Sequence, residues 1–225
     1  MTFSDGEYYH LYNRGVDKRV VFSTPREYRR FLVYLYILND TVTLRADVAL
    51  RNGLPVDLAK WKAKPSTPLV AIGAFCLMPN HFHLYATPLV DGGISKFMQR
   101  LQTAYTMYFN IKYERTGGLF AGPFRSKHMS DDGYFQKVIQ YIHCNPAELY
   151  EPGWKEGIVK NMNYLKTKLL NYPYGSLGAF ANKQHMLRPV LDQTVFELET
   201  QLPISEMLAE AQEYYEESHQ GLALM

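Results

Sequence analysis

The sequence contains only two cysteines, Cys76 and Cys144. Both lie in apolar surroundings without C-x-x-C spacing, which excludes a disulfide framework and a zinc finger and predicts reduced, buried thiols. No run of about 18 apolar residues occurs, and the first residues carry no basic stretch leading into an apolar one. Neither a membrane span nor a secretory signal is therefore expected, and the chain reads as cytoplasmic. Internal repeats and low-complexity segments are also lacking, which sets aside collagen-like and disordered classes. What is there is a chain of 225 residues, 47% hydrophobic and 14% aromatic, with 18 tyrosines. That is enough for one substantial core with appendages. The net charge of +2 hides an asymmetry: residues 185–225 carry eight acidic residues against the single basic Arg188, a balance of −7 that leaves +9 on residues 1–184. A basic body interleaved with tyrosines suits a polyanion that also offers stacking surfaces, namely nucleic acid, although a merely solvated basic face has the same composition.

Pattern and punctuation predict the order of elements. Glu7 to Arg14 is aromatic and β-prone and ends in the turn chemistry of Asn13-Arg14-Gly15, so a strand runs into a loop. Thr24-Pro25-Arg26-Glu27 places a cap, an N1 proline and a capping-box glutamate in order, and apolar residues at helical spacing carry that helix to about Asn39. Residues 40 to 68, rich in proline and Asn52-Gly53, read as an inserted excursion with a short helix. Leu69 to Met78 and His81 to Thr87, joined at Pro79-Asn80, form a hairpin. Ile94, Phe97, Met98, Leu101, Tyr105, Tyr108 and Phe109 trace one helical face, stopped at Gly117-Gly118. Leu119 to Met129 is extended, and Ser130-Asp131-Asp132 caps a helix that ends near Asn145 because Pro146 follows. The order is β-α-β-β-α-β with a further helix, an α+β arrangement with a four-stranded antiparallel sheet. Residues 190–219 form one or two acidic amphipathic helices.

His81-Phe82-His83 is the most informative local feature. Strand alternation sends both imidazoles to one face, about 7 Å apart along the chain, and Phe82 to the other. Two convergent imidazoles can share a divalent ion; surface histidines on an alternating strand have the same spacing. Tyr141 and Asn145, four residues apart, share a helical face. The Asn145 amide oxygen can complete a site begun by two imidazoles, with Tyr141 beside the ion, whereas core packing is the bland reading of Tyr141. Tyr134, two turns earlier, is a rival nucleophile.

His81-Phe82-His83 within Leu77-Met78-Pro79-Asn80-His81-Phe82-His83-Leu84, the opening Tyr9-His10-Leu11-Tyr12-Asn13-Arg14-Gly15, and Tyr141-Ile142-His143-Cys144-Asn145-Pro146 resemble the single-tyrosine HUH transposases, and within them the REP-associated tyrosine transposases. The resemblance spans roughly residues 7 to 150. It implies a ferredoxin-like fold with an additional catalytic helix, a catalytic domain over 1–150 with the insertion at about 40–68, and a C-terminal helical extension over 151–225. It further implies action on single-stranded or hairpin DNA, Tyr141 as the nucleophile, and His81, His83 and Asn145 as ligands of Mg2+ or Mn2+. The length of residues 40–68 and the acidic tail have no counterpart in the family pattern.

A cation held by those three residues can neutralise a phosphate oxygen and stabilise a departing 3'-hydroxyl, and attack by tyrosine leaves a 5'-phosphotyrosine that can be rejoined without ATP. Arg14, Lys18, Arg19, Arg125 and Lys127 are candidate phosphate contacts, Lys137 a candidate for phosphate or for the phenol one turn away, and Tyr9 and Tyr12 candidate stacking partners for unpaired bases. The leading expectation is a metal-dependent DNA strand transferase. A catalytically silent hairpin-binding protein is the alternative, and an unrelated metallohydrolase a distant third. Monomer and homodimer are both left open.

Overall fold

A computed structural model of the chain describes residues 3–42, 50, 53, 54, 58, 65–196, 198 and 202–223. Four strands, β1 (Tyr9–Arg14), β2 (Val70–Met78), β3 (His81–Pro88) and β4 (Arg125–His128), form one sheet in the order β2-β3-β1-β4. Every pairing is antiparallel. Helices α1 (Pro25–Ile37) and α2 (Gly93–Lys112) cover one face, and α3 (Asp132–Cys144) lies on the other. The expected α+β order is what the chain adopts. Of the expected extension at Leu119 to Met129, only the four residues of β4 pair as strand. Helix α2 ends at Lys112, ahead of Gly117-Gly118, where Glu114 takes a left-handed φ of 50°. The short helix expected within residues 40–68 lies outside the described residues, but the base of that excursion is closed: Asp40 accepts the Ser66 N–H at 2.6 Å and Thr41 N–H donates to Thr67 at 2.8 Å.

β2 is apolar throughout because it is buried on both faces. A bulge between Ile72 and Ala74 shifts its alternation, so that Ile72 and Phe75 face α1 and α2 while Ala74 and Cys76 face α3. Gly73 is required there, since a Cβ would sit 2.1 Å from the Tyr85 ring. The outer edge of β2 is covered by the chain around Gly175: Leu77 N–H donates to Tyr174 and Ser176 N–H to Phe75, each at 2.9 Å, which blunts an otherwise open edge. Cys76 and Cys144 are free and buried, as expected.

Beyond residue 150 come α4 (Met162–Leu170), α5 (Leu177–Ala181), α6 (Gln193–Phe196) and α7 (Ile204–Ala223). The C-terminal extension is helical, and its α7 lies along α3, with the Tyr214 ring tilted against that of Tyr141 at 4.8 Å between ring centroids. None of the described helices is long and apolar enough to cross a membrane.

The capping box at α1 exists and carries more than a cap. Glu27 Oε2 accepts the N–H groups of Ser23 (2.6 Å) and Thr24 (3.0 Å), while Oε1 accepts from Lys112 and from the Tyr113 hydroxyl. Burial by itself would raise the Glu27 carboxyl, but Lys112, Tyr113 and the two amides together hold it below the ordinary carboxylate value. A depressed pKa in the folded state means stabilisation that is present above the unfolded value and is lost as pH falls through the lowered one. Glu27→Ala is expected to destabilise by about 2 kcal/mol at neutral pH, since a cap and several bonds to a buried carboxylate go together. The loss should appear in the urea midpoint without a change in slope and shrink below the ordinary carboxylate range; equal losses at neutral and strongly acidic pH would contradict this account.

Candidate active site

The register of the sheet assembles one row of side chains. His83 pairs with Tyr12, His81 with Arg14, Lys127 with His10 and Arg125 with Tyr12. Because residues directly opposite share a face and alternate residues return to it, His10, Tyr12, Arg14, His81, His83, Arg125 and Lys127 all belong to the face that α3 crosses. Phe82, between the histidines, is fully buried on the other face against α1.

Helix α3 brings the remaining residues. Asp131 caps it, accepting the Tyr134 N–H at 2.8 Å. Four residues separate Tyr141 in its last turn from Asn145, which opens a 3-10 turn over Asn145–Leu149. The His81 and His83 rings lie 5.0 Å apart and the Tyr141 ring 5.4 Å from His83. His81 Nε2 and Asn145 Oδ1 are 3.2 Å apart. Tyr141, rather than the rival Tyr134, is the α3 tyrosine in ring contact with His83; Tyr134 lies against Tyr214 and Lys127.

The donor set fits a divalent cation. His81 Nδ1 lies 2.6 Å from Asn80 Oδ1, so the proton belongs on Nδ1 and the Nε2 lone pair points at Asn145 Oδ1. As oriented, two acceptors face each other, an arrangement reconciled either by a shared cation or by a turned Asn145 amide whose Nδ2 donates to His81. The Asn145 Nδ2 group is buried and without a hydrogen bond. Burial lowers the pKa of His81, and lowers that of His83 strongly with help from neighbouring His10; His10 falls to about 3 through burial and the charge of Lys127. All three imidazoles are therefore neutral at physiological pH, the form that binds metal. Two imidazoles and an amide oxygen would leave coordination positions open to water or phosphate; the described residues contain no cluster of three or more His, Cys, Asp or Glu that could hold a metal ion.

Tyr141 is half-buried. Its hydroxyl is pushed up to about 12, first by burial and then by the nearby Glu148 charge, with the Asn145 side chain acting in the opposite direction.

Two of the residues expected from sequence as DNA contacts lie elsewhere or are engaged. Tyr9 faces away from the site: it is 7% exposed, packs edge-on against Phe3 at 4.9 Å and accepts the Ser4 N–H. It is no stacking platform, because adjacent strand residues point to opposite faces. Lys137 is paired with Glu213 (3.0 Å) and Glu217 (2.8 Å) of α7, so its charge is turned to the tail rather than to phosphate. Tyr12, Arg14, Arg125 and Lys127 do share the site face, the last three being exposed; Lys127 also lies over the Tyr134 ring, 4.6 Å from its centroid. Lys18 and Arg19 are exposed on the loop after β1, where Asn80 Nδ2 donates to the Lys18 carbonyl at 3.4 Å, beside His81.

Three neighbours were not expected. His10 contacts His83 directly, with nitrogens 2.8 Å apart; strand alternation with Tyr12 could have found it. Glu148, one turn beyond Asn145, acts on the charge balance of both His81 and Tyr141. Lys155 pairs with Glu148 and adds positive potential at both histidines. Nothing local in the sequence marks Lys155.

Comparison with known proteins adds the following. Residues 65–145 match the family model described as "Transposase IS200 like", a span that contains His81, His83, Tyr141 and Asn145. No curated protein matches the chain. A solved structure described as "Structure of the REP associates tyrosine transposase bound to a REP hairpin" is similar over 90% of this chain and 96% of that one, at 13% identity and a TM-score of 0.48.

Proposed function

We propose that the chain is a DNA strand transferase that cleaves and rejoins single-stranded DNA near hairpins, with Tyr141 as nucleophile and Mg2+ or Mn2+ held by His81, His83 and Asn145. The observation that carries this reading is the meeting of Tyr141 with His83 and of Asn145 with His81 on one sheet face, within the span that matches a transposase family model.

The chemistry is a transesterification. The Tyr141 oxygen forms a bond to phosphorus as the bond from phosphorus to the 3'-oxygen breaks; the phenol proton leaves and the 3'-oxygen takes one up. The products are a 5'-phosphotyrosine and a free 3'-hydroxyl. Attack by a 3'-hydroxyl on the phosphotyrosine reverses the exchange, so one ester is traded for another without an external energy source. When bound, the cation supplies neutralisation of a phosphate oxygen and stabilisation of the departing oxygen. Arg14, Arg125 and Lys127 hold flanking phosphates, and Tyr12 offers a face to an unpaired base. The reading is tested by incubating the protein with end-labelled hairpin DNA bearing a single-stranded flank, with Mg2+ or Mn2+, and seeking a denaturation-resistant adduct. Selective hairpin binding with no adduct in either metal would instead identify a binding protein on this fold.

The acidic α7 opposes DNA on this face. Its exposed pairs with Lys137 contribute little stability, about 1 kcal/mol or less each. Glu213→Gln combined with Glu217→Gln is therefore expected to leave the fold intact and to tighten binding of hairpin DNA about tenfold at low salt. The slope of log affinity against log salt should steepen by about one as Lys137 becomes available. Anisotropy titrations across salt concentrations measure both; an unchanged slope would place Lys137 outside the DNA path.

A further inference from the structure

His10 lies on β1, outside the expected ligand set, yet it is 2% exposed and has a side-chain partner at each ring nitrogen. Its Nε2 is 2.8 Å from His83 Nδ1, and its Nδ1 is 3.1 Å from the Tyr214 hydroxyl on α7. Its ring also stacks on His83 (centroids 5.0 Å, planes 29° apart) and on Tyr12 (4.9 Å, 34°), which fixes its plane. A neutral imidazole carries one N–H, so only two arrangements satisfy both contacts. In one, Tyr214 donates to His10 Nδ1 and His10 Nε2–H donates to His83 Nδ1, leaving a proton on His83 Nε2, where no cation can bind. In the other, His83 Nδ1–H donates to His10 Nε2, His10 Nδ1–H donates to the Tyr214 oxygen, and the Nε2 lone pair of His83 is free. A hydroxyl at 214 serves either arrangement, whereas a phenyl ring serves neither.

We infer that His10 and Tyr214 form a two-link hydrogen-bond chain that positions His83 and sets which of its ring nitrogens is offered to the cation site. Neither residue touches substrate; both act through His83, and the inference rests on reading His83 as a ligand. It makes α7 part of the site, because the last acceptor of the chain belongs to that helix. Groups that orient a metal-binding imidazole typically change metal affinity about 10–100-fold.

The test is Mn2+ binding by the full-length protein, followed by the electron paramagnetic resonance of free Mn2+, together with 15N chemical shifts of the His83 ring in the Mg2+-loaded protein. His10→Phe, which keeps an aromatic ring in place and removes both nitrogens, should weaken Mn2+ binding about 10–100-fold. His10→Gln, whose carbonyl can accept from His83 Nδ1, should recover part of the loss, and Tyr214→Phe should weaken binding several-fold. The wild-type His83 ring should carry its proton on Nδ1. Wild-type affinity in His10→Phe and Tyr214→Phe overturns the inference while leaving the site intact, whereas a proton on His83 Nε2 in the loaded protein overturns the inference and His83 as a ligand together. Mn2+ binding that is absent in the wild type, or unchanged by His81→Ala, overturns the site itself. Should His10→Phe fail to fold, Tyr214→Phe and the wild-type 15N shifts decide the matter.

Discussion

Tyr141→Phe is expected to reduce the covalent protein–DNA adduct to background while hairpin DNA binds with nearly unchanged affinity. The substitution removes one oxygen and keeps the ring, whose packing against His83 (5.4 Å) and Tyr214 (4.8 Å) is retained; the stability change should stay within about 1 kcal/mol. Losing the group that forms the covalent bond removes the route rather than slowing it, so single-turnover cleavage should fall by at least about a thousandfold. Tyr134→Phe is the matched control and should retain the adduct. An adduct of undiminished yield in Tyr141→Phe would show that another residue attacks. The pH dependence sharpens the test. With the hydroxyl pushed up to about 12, only on the order of 1 in 100,000 molecules carries a phenolate at pH 7 without further help. If the phenolate attacks, the rate of adduct formation should rise with pH across the neutral range, by up to about tenfold per unit, and a cation beside the phenol should raise it at every pH. A rate flat from pH 6 to 8 under single-turnover conditions would mean that deprotonation does not limit attack.

The element order was legible because each element carries its own punctuation: Thr24-Pro25-Arg26-Glu27 opens α1, Pro79-Asn80 turns the hairpin, and Asp131 caps α3. The two pairs of the candidate site were also legible, since His81 and His83 are related by strand alternation and Tyr141 and Asn145 by one helical turn, both local geometries; that the pairs belong together was implied by the family resemblance. Alternation could have gone further. Tyr9 and Tyr12 are three apart on one strand and so face opposite sides; accepting Tyr12 excludes Tyr9 and includes His10. The bulge at Gly73, which shifts the faces of β2, carried no such signal, because a strand buried on both sides shows no alternation to be interrupted. The pairing of Lys137 with Glu213 and Glu217 joins residues far apart in sequence through the docking of α7, and a lysine at helical spacing looks the same whether its partner is phosphate or carboxylate. The tail's opposite charge was visible in composition; its place beside the tyrosine was not.

His81→Ala tests the other half of the site. His81 is more exposed than His83 and, unlike it, leaves no buried imidazole stranded when removed, since its partners are the side chain of Asn80 in the β2–β3 turn and the buried amide of Asn145. The fold should therefore survive, with thermal unfolding shifted by no more than a few degrees, about 1 kcal/mol for a domain of this size. Adduct formation should nevertheless fall by more than the roughly 100-fold that losing a merely orienting neighbour costs, and Mn2+ binding should fall with it. Hairpin affinity should be retained, because phosphate contacts from Arg14, Arg125 and Lys127 do not depend on the histidine. Raising the Mn2+ concentration should restore part of the activity if His83 and Asn145 still hold the ion. Adduct formation at the wild-type rate in His81→Ala would mean that the acceptor pair facing each other at 3.2 Å is no ligand set and that the phosphate is neutralised by the basic row alone.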